Sequence, residues 1–442
     1  MINYEKKLFN IIHYIIVFIF VFLTCNILLY ISCIFNSKYI YKNVKSSYNI
    51  LNKQGLIYFI NKKIDLANDN YTDALIINEM YSIDNKSPFE SYLKARKNYK
   101  RGLTTSELKD ITGESRSITK GDKFSKTYNP IAELNHFINN DIHTSINYGR
   151  YWHGYIILYR PLLLFLNITQ IRILLFLLLC ILLLYFVFLI NKRFGKTIAI
   201  IYGLSFILNG YFSVAYSLES SPIFLVMIMS SIILLKNIDN IKNIGIYIFI
   251  VGCLANFFDY LTVPLITLVV PMSIYILKLL EEHKNWKKCI KILIVNSIIW
   301  SIGYISSWLL KWIIYDIVFS ENISMIQIGF KQFFYRTQRE NSISINTCFD
   351  IIIYLLKKPS IYIGVIVLII IIGKKYLFKP HIYTKKALPF VIITTYPIVW
   401  YTIFANHTII HFYFVYRHCL IYMLGLLLTI YEIQTDRKKH KE

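Results

Sequence analysis

Acidic residues are scarce in this chain: 25 aspartates and glutamates stand against 48 lysines and arginines, a formal charge of +23 over 442 residues. Such an excess can serve nucleic acid, but no soluble basic domain stands apart from the apolar runs, which sets that class aside. The basic residues lie between those runs, where cytoplasmic loops and anionic lipid headgroups account for them. Cysteine is sparse too. Cys25, Cys33, Cys180, Cys253, Cys289, Cys348 and Cys419 form no CxxC pair, and most sit within or beside apolar runs. They read as small buried side chains rather than a disulfide framework or a metal site. No HExxH is present, no internal repeat stands out, and no inverted-repeat symmetry of the transporter kind is visible. No small-residue cleavage site closes the apolar run from Leu8 to Phe35, so it reads as an uncleaved first span and not a signal peptide.

What the chain has instead is hydrocarbon. Hydrophobic residues make up 56% of it and aromatics 16%, and the mean hydropathy is +0.48. That points to an all-α integral membrane protein. Ten runs are candidates to cross: 9–34, 169–191, 197–214, 222–236, 244–258, 262–280, 289–314, 360–374, 387–405 and 412–431. Ten crossings put the cationic clusters at Lys6–Lys7, Lys192–Lys196, Lys236–Lys242, Lys284–Lys288, Lys374–Lys386 and Arg437–Lys441 on one side. The predicted protein is a multi-pass protein of the cell membrane with both termini in the cytoplasm. Its parts are a first span (1–35), a large outer loop (36–165), a helical bundle (166–314), an outer loop (315–359), C-terminal spans (360–431) and a basic tail (432–442). The 315–359 loop is expected to hold an interfacial or re-entrant helix at 344–357. Helical patterning in the first loop appears in IYFINKKIDLANDN and PIAELNHFINND.

Ionisable residues near the ends of membrane spans are costly and tend to be functional. On this topology they converge on the outer side. Asp69, Asp73 and Glu79 lie in NDNYTDALIINEMYS. Arg150, Trp152, His153 and Arg160 lie in GRYWHGYIILYRP, which reads equally as an aromatic belt with basic anchors or as a wall that holds phosphate and stacks on a sugar. Glu219 follows in the second outer loop, Asp259 in the third, Arg336 and Arg339 in the fourth. Asn406, His407, His411 and Arg417 complete the set, with Arg417 expected a turn inside the last span. Helix capping is the plainer reading of Asp259 and Glu219. Thr72 or Asp73 is placed to cap a helix, a role compatible with Asp73 acting as a general base. His407 and His411 are four residues apart and share a helical face, a spacing that suits zinc. With no third ligand nearby, an interfacial pair hydrogen-bonded to water and backbone ranks above metal, and recognition of a phosphate together with Arg417 is preferred.

With YTDALIINE, RYWHGYIILYRPLL, ANFFDYLTVPLITL, FYRT and WYTIFANHTIIHFYFVYR in hand, the chain resembles the GT-C class of integral-membrane glycosyltransferases. It also resembles multispan proteins common in low-GC bacteria. The likeness covers most of the chain and is stronger in architecture than in motif. It implies transfer of a sugar from a polyprenyl-phosphate carrier to an extracytoplasmic acceptor, with membrane lipid as the other partner. Asp73 matches the acid of the first outer loop that serves the class as base or metal ligand, with Asp69 and Glu79 as backups. The phosphate or sugar contacts fall to His407, His411, Arg417, Arg336, Arg160, Arg150, Trp152 and His153. The chain departs from the pattern in two ways: about forty residues separate Asp73 from the first span, and the usual acidic pair is absent. Participation of a divalent metal stays open, and no other cofactor is implied. A transporter or flippase for a lipid-linked substrate and an O-antigen-type polymerase are the alternative readings.

Overall fold

The computed structural model describes residues 2–61, 66–100, 129–140, 143–319, 324–337 and 385–439. Long unbroken apolar sequence sets its architecture. Helix α1 (Ile2–Cys33) leads into a peripheral region made of α2 (Tyr41–Gln54), β1 (Ile57–Asn61), β2 (Leu66–Asp69), α3 (Asn70–Tyr81), α4 (Pro88–Lys94), β3 (Arg96–Lys100), α5 (Pro130–Ile138), β4 (His143–Asn147) and α6 (Tyr155–Leu162). A bundle follows: α7 (Ile168–Phe194), α8 (Lys196–Leu208), α9 (Ser221–Asn237), α10 (Ile244–Phe258), α11 (Leu265–Glu281) and α12 (Trp286–Val318). Then come α13 (Met325–Thr337), α14 (Leu388–Ile403), α15 (Ala405–Ile410), α16 (Phe412–Val415) and α17 (Cys419–Lys439).

Among the described residues four stretches are long and apolar enough to cross a bilayer: Ile11–Cys33, Ile168–Phe194, Trp286–Val318 and Lys385–Ile403. Their outward faces are hydrocarbon. Phe20 is 70% exposed, Leu184 72% and Ile317 76%. Rows of bare isoleucine, leucine and phenylalanine are unfavourable in water and natural in lipid. The protein is therefore membrane-embedded. Helices α8, α9 and α10 are apolar but shorter, at 13, 17 and 15 residues, below the roughly 20 residues a perpendicular crossing takes. The span expected at 360–374 and the helix expected at 344–357 lie outside the described residues, as does Arg339.

Inside the bundle, small residues let backbones approach. A Cβ on Gly303 of α12 would lie 2.5 Å from the Phe249 carbonyl oxygen of α10. Glycine there permits the close helix crossing on which membrane bundles rely when hydrophobic collapse is not available between helices. Polar side chains satisfy themselves locally or across helices. Ser205 Oγ donates to the Ile201 carbonyl at 2.8 Å, Tyr202 and Ser273 hydroxyls meet at 2.7 Å, and Trp300 Nε1 donates to Thr267 Oγ1 at 3.1 Å.

Two differences from the sequence reading concern the peripheral region. PIAELNHFINND does form a helix, α5, capped by Asn129, whose side chain accepts from the backbone of Ile131 and Ala132. IYFINKKIDLANDN does not. Its ends are the antiparallel strands β1 and β2, paired Ile57 to Asp69 and Tyr58 to Asn68. IYFIN is a short apolar run rich in aromatic and β-branched residues, and its pairing with Leu66–Asp69 prevails over helical spacing. A second two-stranded ribbon pairs β3 with β4, Arg96 opposite Asn147. The fold is thus helical with two small ribbons at one end.

The loops that join the long helices gather at two opposite ends. At one, Arg193 at the foot of α7 reaches Glu281 at 2.8 Å and Asp239 at 3.5 Å. At the other lie the ribbons, α3, α6 and nearly every candidate residue.

Candidate functional site

Helix α3 begins the site. Its N-cap is Asp69, whose carboxylate accepts from Thr72 N at 3.0 Å and from the Thr72 hydroxyl at 2.8 Å. Neither Thr72 nor Asp73 caps, because the chain enters the helix from β2 one turn earlier than periodicity suggests. Asp73 instead turns into the bundle and is fully buried. Its Oδ2 lies 2.6 Å from Arg172 Nη2, and its Oδ1 accepts from the Leu218 backbone at 2.9 Å. Arg172, one turn into α7, also donates to Asn70 Oδ1 at 2.8 Å. The pair thereby clamps α3 against α7 and the turn before α9.

Four carboxyls meet around this clamp. Burial pushes Asp73 up to about 6, against the pull of Arg172 and helped by the neighbouring Asp69. Burial likewise raises Asp69, against its Thr72 hydrogen bonds, Arg172 and Arg417. Glu219 is pushed well above the usual carboxylate range by burial and by the charges of Asp69 and Asp259. Asp259 rises to about 6 through burial, although its carboxylate accepts from the backbone of Thr262 at 3.0 Å and from the Thr262 hydroxyl. Crowded acids in a low-dielectric site share protons rather than ionise together. Among the described residues no three His, Cys, Asp or Glu side chains group closely enough to hold a metal ion.

Arg417 belongs to this acidic group. Its charge bears on Asp69 and Glu219, and it stays 8% exposed. It is not inside a continuous last span. Residues 405–418 break into α15, α16 and a 3-10 turn at Tyr416–His418 before α17 starts at Cys419. The histidines sit elsewhere on that broken stretch. His407 Nε2 lies 2.8 Å from the Leu261 carbonyl, so it carries the proton and donates. The rings of His407 and His411 are 4.7 Å apart, as their spacing predicts. Burial, His411 and Arg336 together hold His407 well below the ordinary histidine range. It is therefore a neutral ring whose Nδ1 has no hydrogen-bond partner among the described residues. That ring offers an acceptor, not a positive charge. Asn406 beside it donates to the Tyr335 carbonyl of α13 at 2.8 Å.

A narrow crevice of about 10 Å³ lies between α12, α13 and the loop before α6, lined among others by Arg150, Tyr151, Trp308, Trp312, Phe333 and Arg336, so a ligand larger than a water would have to part its walls. Arg336 Nη2 donates to the Tyr151 hydroxyl, while its buried Nη1 has no hydrogen-bond partner among the described residues. Arg150 Nη2 donates to the Tyr148 hydroxyl at 3.0 Å. The Arg150 carbonyl accepts from the indoles of Trp308 and Trp312, at 3.1 and 3.0 Å. Two guanidinium groups over aromatic walls suit an anion, and the indole faces suit a sugar ring.

The remaining expected residues have other partners. Arg160 is fully buried, and its donors go to the carbonyls of Met80 (3.1 Å), Ser32 (2.6 Å) and Phe35 (2.9 Å) and to the Ser37 hydroxyl (3.1 Å). It ties α1 to α3 and α6 and has no face toward the pocket's lining. Trp152 points into the bundle, donates to the Ser307 carbonyl at 2.8 Å and packs on Phe22 and Phe257. It is not a wall for a ligand in the pocket. Glu79 and His153 form a buried pair, 3.1 Å from Oε2 to Nδ1, with Lys97 Nζ 3.4 Å from Oε1. Burial opposes the Glu79 charge, but His153 and Lys97 outweigh it and lower the carboxyl.

Sequence reading missed Arg172, Lys97, Trp308 and Trp312. Arg172 carried a usable signal, since ITQIRILLFLLL sets one arginine in an apolar run and such a residue faces the protein interior. Lys311, in WLLKWII, carried the same signal. It is fully buried and donates to the Leu93 carbonyl at 2.9 Å, closing the C-terminus of α4. Comparison with known proteins adds no relative: no protein-family model, no curated protein and no solved structure matches the chain.

Proposed function

We propose that the chain is a polytopic membrane glycosyltransferase that moves a sugar from a polyprenyl-phosphate carrier to an acceptor on the outer face, where the ribbon-bearing end of the bundle lies. The observation that supports this reading is that carboxyls whose charges bear on one another and an arginine-and-indole crevice occupy the same end of a lipid-facing bundle. In such a transfer the bond between the sugar's anomeric carbon and the carrier phosphate oxygen breaks. A bond from the acceptor oxygen forms, and the acceptor's proton passes to a base. Charge grows on the phosphate, where Arg336 and Arg150 would stabilise it in a site shielded from water. His407 Nδ1 would accept from a sugar hydroxyl. A carboxyl raised toward neutrality is suited to take the acceptor proton.

The half-buried Asp69 and the fully buried Asp73 are the candidate bases. Both oxygens of Asp73 are engaged, by Arg172 and by the Leu218 backbone. Both oxygens of Asp69 are held as well, by the Thr72 backbone and hydroxyl, but by no charged group, and Asp69 is the more open of the two. Against a flippase stands the clustering of buried ionisable groups among the described residues. Asp73, Glu79, Asp259, Arg160, Arg172, Lys311 and His407 belong to one end, with Glu432 of α17 the exception, whereas a translocation path needs polar groups from face to face.

The test is binding, then turnover. Purified protein in lipid is titrated with undecaprenyl-phosphate sugars, and its thermal stability is followed beside Arg336→Ala. A stabilisation by at least one donor that Arg336→Ala loses is the expected result. No stabilisation by any donor, in protein shown to be folded, would remove the carrier phosphate from this site.

A further inference from the structure

Glu79 and His153 take no part in the transfer just described, yet they are among the most enclosed ionisable groups in the protein, each 2% exposed. Their surroundings join four elements. Glu79 comes from α3 and Lys97 from β3. His153 and Tyr155 come from the segment after β4, and Tyr260 from the loop after α10. The hydroxyls of Tyr155 and Tyr260 both donate to Glu79 Oε2, the second at 3.2 Å. His153 Nδ1 lies 2.7 Å from the Tyr260 hydroxyl and 3.1 Å from that of Tyr155. Its Nε2 donates to the Tyr148 carbonyl at 2.9 Å. Lys97 Nζ also lies 3.7 Å from the centre of the Tyr148 ring, on which Arg150 stacks from 4.4 Å.

The backbone around this cluster is strained. His153 has φ +56 and Leu261 φ +68, both left-handed without being glycine. Strain of this kind persists only where surrounding contacts impose it, and it concentrates at ligand clamps. Both strained residues sit on loops that serve the pocket. The segment with His153 delivers Arg150 and Tyr151, and Leu261 lines the pocket while its carbonyl holds His407. The two loops touch where Gly154 N donates to the Phe257 carbonyl at 3.1 Å.

We infer that Glu79 and His153, through the hydroxyls of Tyr155 and Tyr260, are positioning residues that fix these two loops and so aim Arg150 and Tyr151 at a bound phosphate. The inference rests on the proposed reading of the pocket as a phosphate site. The carboxylate draws three partners from two loops onto one oxygen. Lys97 then couples it to the aromatic ring that supports Arg150. Glu79→Gln keeps the shape and an acceptor oxygen but removes the charge that gathers these donors.

The experiment measures binding of undecaprenyl phosphate to the full chain in lipid nanodiscs, with inorganic phosphate in parallel to separate lipid headgroup from free anion. Wild type, Arg336→Ala, Glu79→Gln, Tyr151→Phe and the Glu79→Gln/Tyr151→Phe pair are compared, each with its unfolding temperature. The expected result is a loss of about tenfold or more in affinity for Glu79→Gln, the scale on which small misplacements of binding groups act. That loss should be less than additive with Tyr151→Phe, because both variants release the same arginines. Should Glu79→Gln fail to fold, Tyr260→Phe carries the same expectation. Affinity within twofold of wild type for the folded variant, with only the unfolding temperature lowered, would overturn the positioning role while leaving the pocket in place. Wild type that binds neither probe would overturn both, and indifference of binding to Arg336→Ala would do the same.

Discussion

Replacing Arg160 tests whether this end of the protein is a clasp as well as a site. The guanidinium sits 4.1 Å from the centre of the Phe35 ring and donates to three main-chain carbonyls from two segments, Ser32 in the last turn of α1 with Phe35 just after it, and Met80 at the end of α3. Each hydrogen bond from a charged donor contributes about 1.5–3 kcal/mol, so the three together approach about 5–9 kcal/mol. Burying the guanidinium offsets part of that, and a net loss of about 3–5 kcal/mol is expected for Arg160→Ala, the range for breaking a buried charged network. Arg160→Lys should recover less than half, since one ammonium cannot reproduce a planar fork that faces three carbonyls. Denaturant titration of the protein in mixed micelles, followed by tryptophan fluorescence, measures both. Carrier-phosphate affinity in the folded fraction should not change, because Nε, Nη1 and Nη2 of Arg160 all bond within the clasp, to three carbonyls and the Ser37 hydroxyl. A variant within 1 kcal/mol of wild type would refute the clasp, and selective loss of carrier binding at unchanged stability would return Arg160 to the ligand.

Three further outcomes are expected. Asp259, raised to about 6 by burial, takes up its proton in the folded state at higher pH than in the unfolded chain, near 3.9. Its ionisation therefore costs stability above pH 6, and that cost vanishes as pH falls toward 4; the histidines held neutral by burial, such as His407, push the other way and make the wild-type curve alone a poor readout. The difference between Asp259→Asn and wild type isolates the group: the variant should lose about 2 kcal/mol of relative stability between pH 7.5 and pH 4.5, and a pH-independent difference would contradict the buried carboxyl. Gly154→Ala would set a Cβ 2.5 Å from the Phe257 carbonyl oxygen; it should cost about 1–3 kcal/mol through overpacking and weaken carrier binding, and calorimetry with a binding isotherm checks both. Asp69→Asn should lower turnover with donor affinity kept, whereas Asp73→Asn should lower stability by leaving Arg172 buried without its counter-charge; single-turnover kinetics beside thermal unfolding separate them, and the reverse pattern would exchange their roles.

Much of the frame was legible because hydrocarbon writes a simple signal. The runs at 9–34, 169–191 and 289–314 reappear in the long apolar helices Ile11–Cys33, Ile168–Phe194 and Trp286–Val318. A residue's preference for lipid is local, and no tertiary partner is needed to express it. The short helices are harder. Helix α8 ends at Leu208 and the chain continues as a 3-10 turn over Tyr211–Tyr216, although 197–214 is largely apolar, broken inside by Ser205 and the Asn209–Gly210 pair. There Gly210, at φ +76, ends the helix, and apolarity alone does not reveal such a stop. The β1–β2 hairpin was lost for the opposite reason. IYFIN is too short for its period to decide between strand and helix, and the pairing that decides it comes from a second segment.

The site divides along the same line between what is local and what is not. His407 and His411 meet because His411 is the C-cap of α15, one turn after His407, with its backbone N–H on the His407 carbonyl. The grouping of Arg417 with those histidines failed because the chain between them is not one helix; its breaks at Ile410 and Val415 turn Arg417 toward Asp69 and Glu219. Asp73 and Arg172, 99 residues apart, gave a different difficulty. Each carried its own signal, an acid at a helix start and an arginine in an apolar run, but charge has no sequence range and neither signal named the other. Their pairing changes the chemistry expected of Asp73, because an oxygen that holds a guanidinium at 2.6 Å is a poor acceptor for a substrate's proton. A carboxyl that anchors α3 to α7 leaves proton transfer to a neighbour that the same fold keeps raised and more open, and Asp69, one turn earlier on the same helix, meets both conditions.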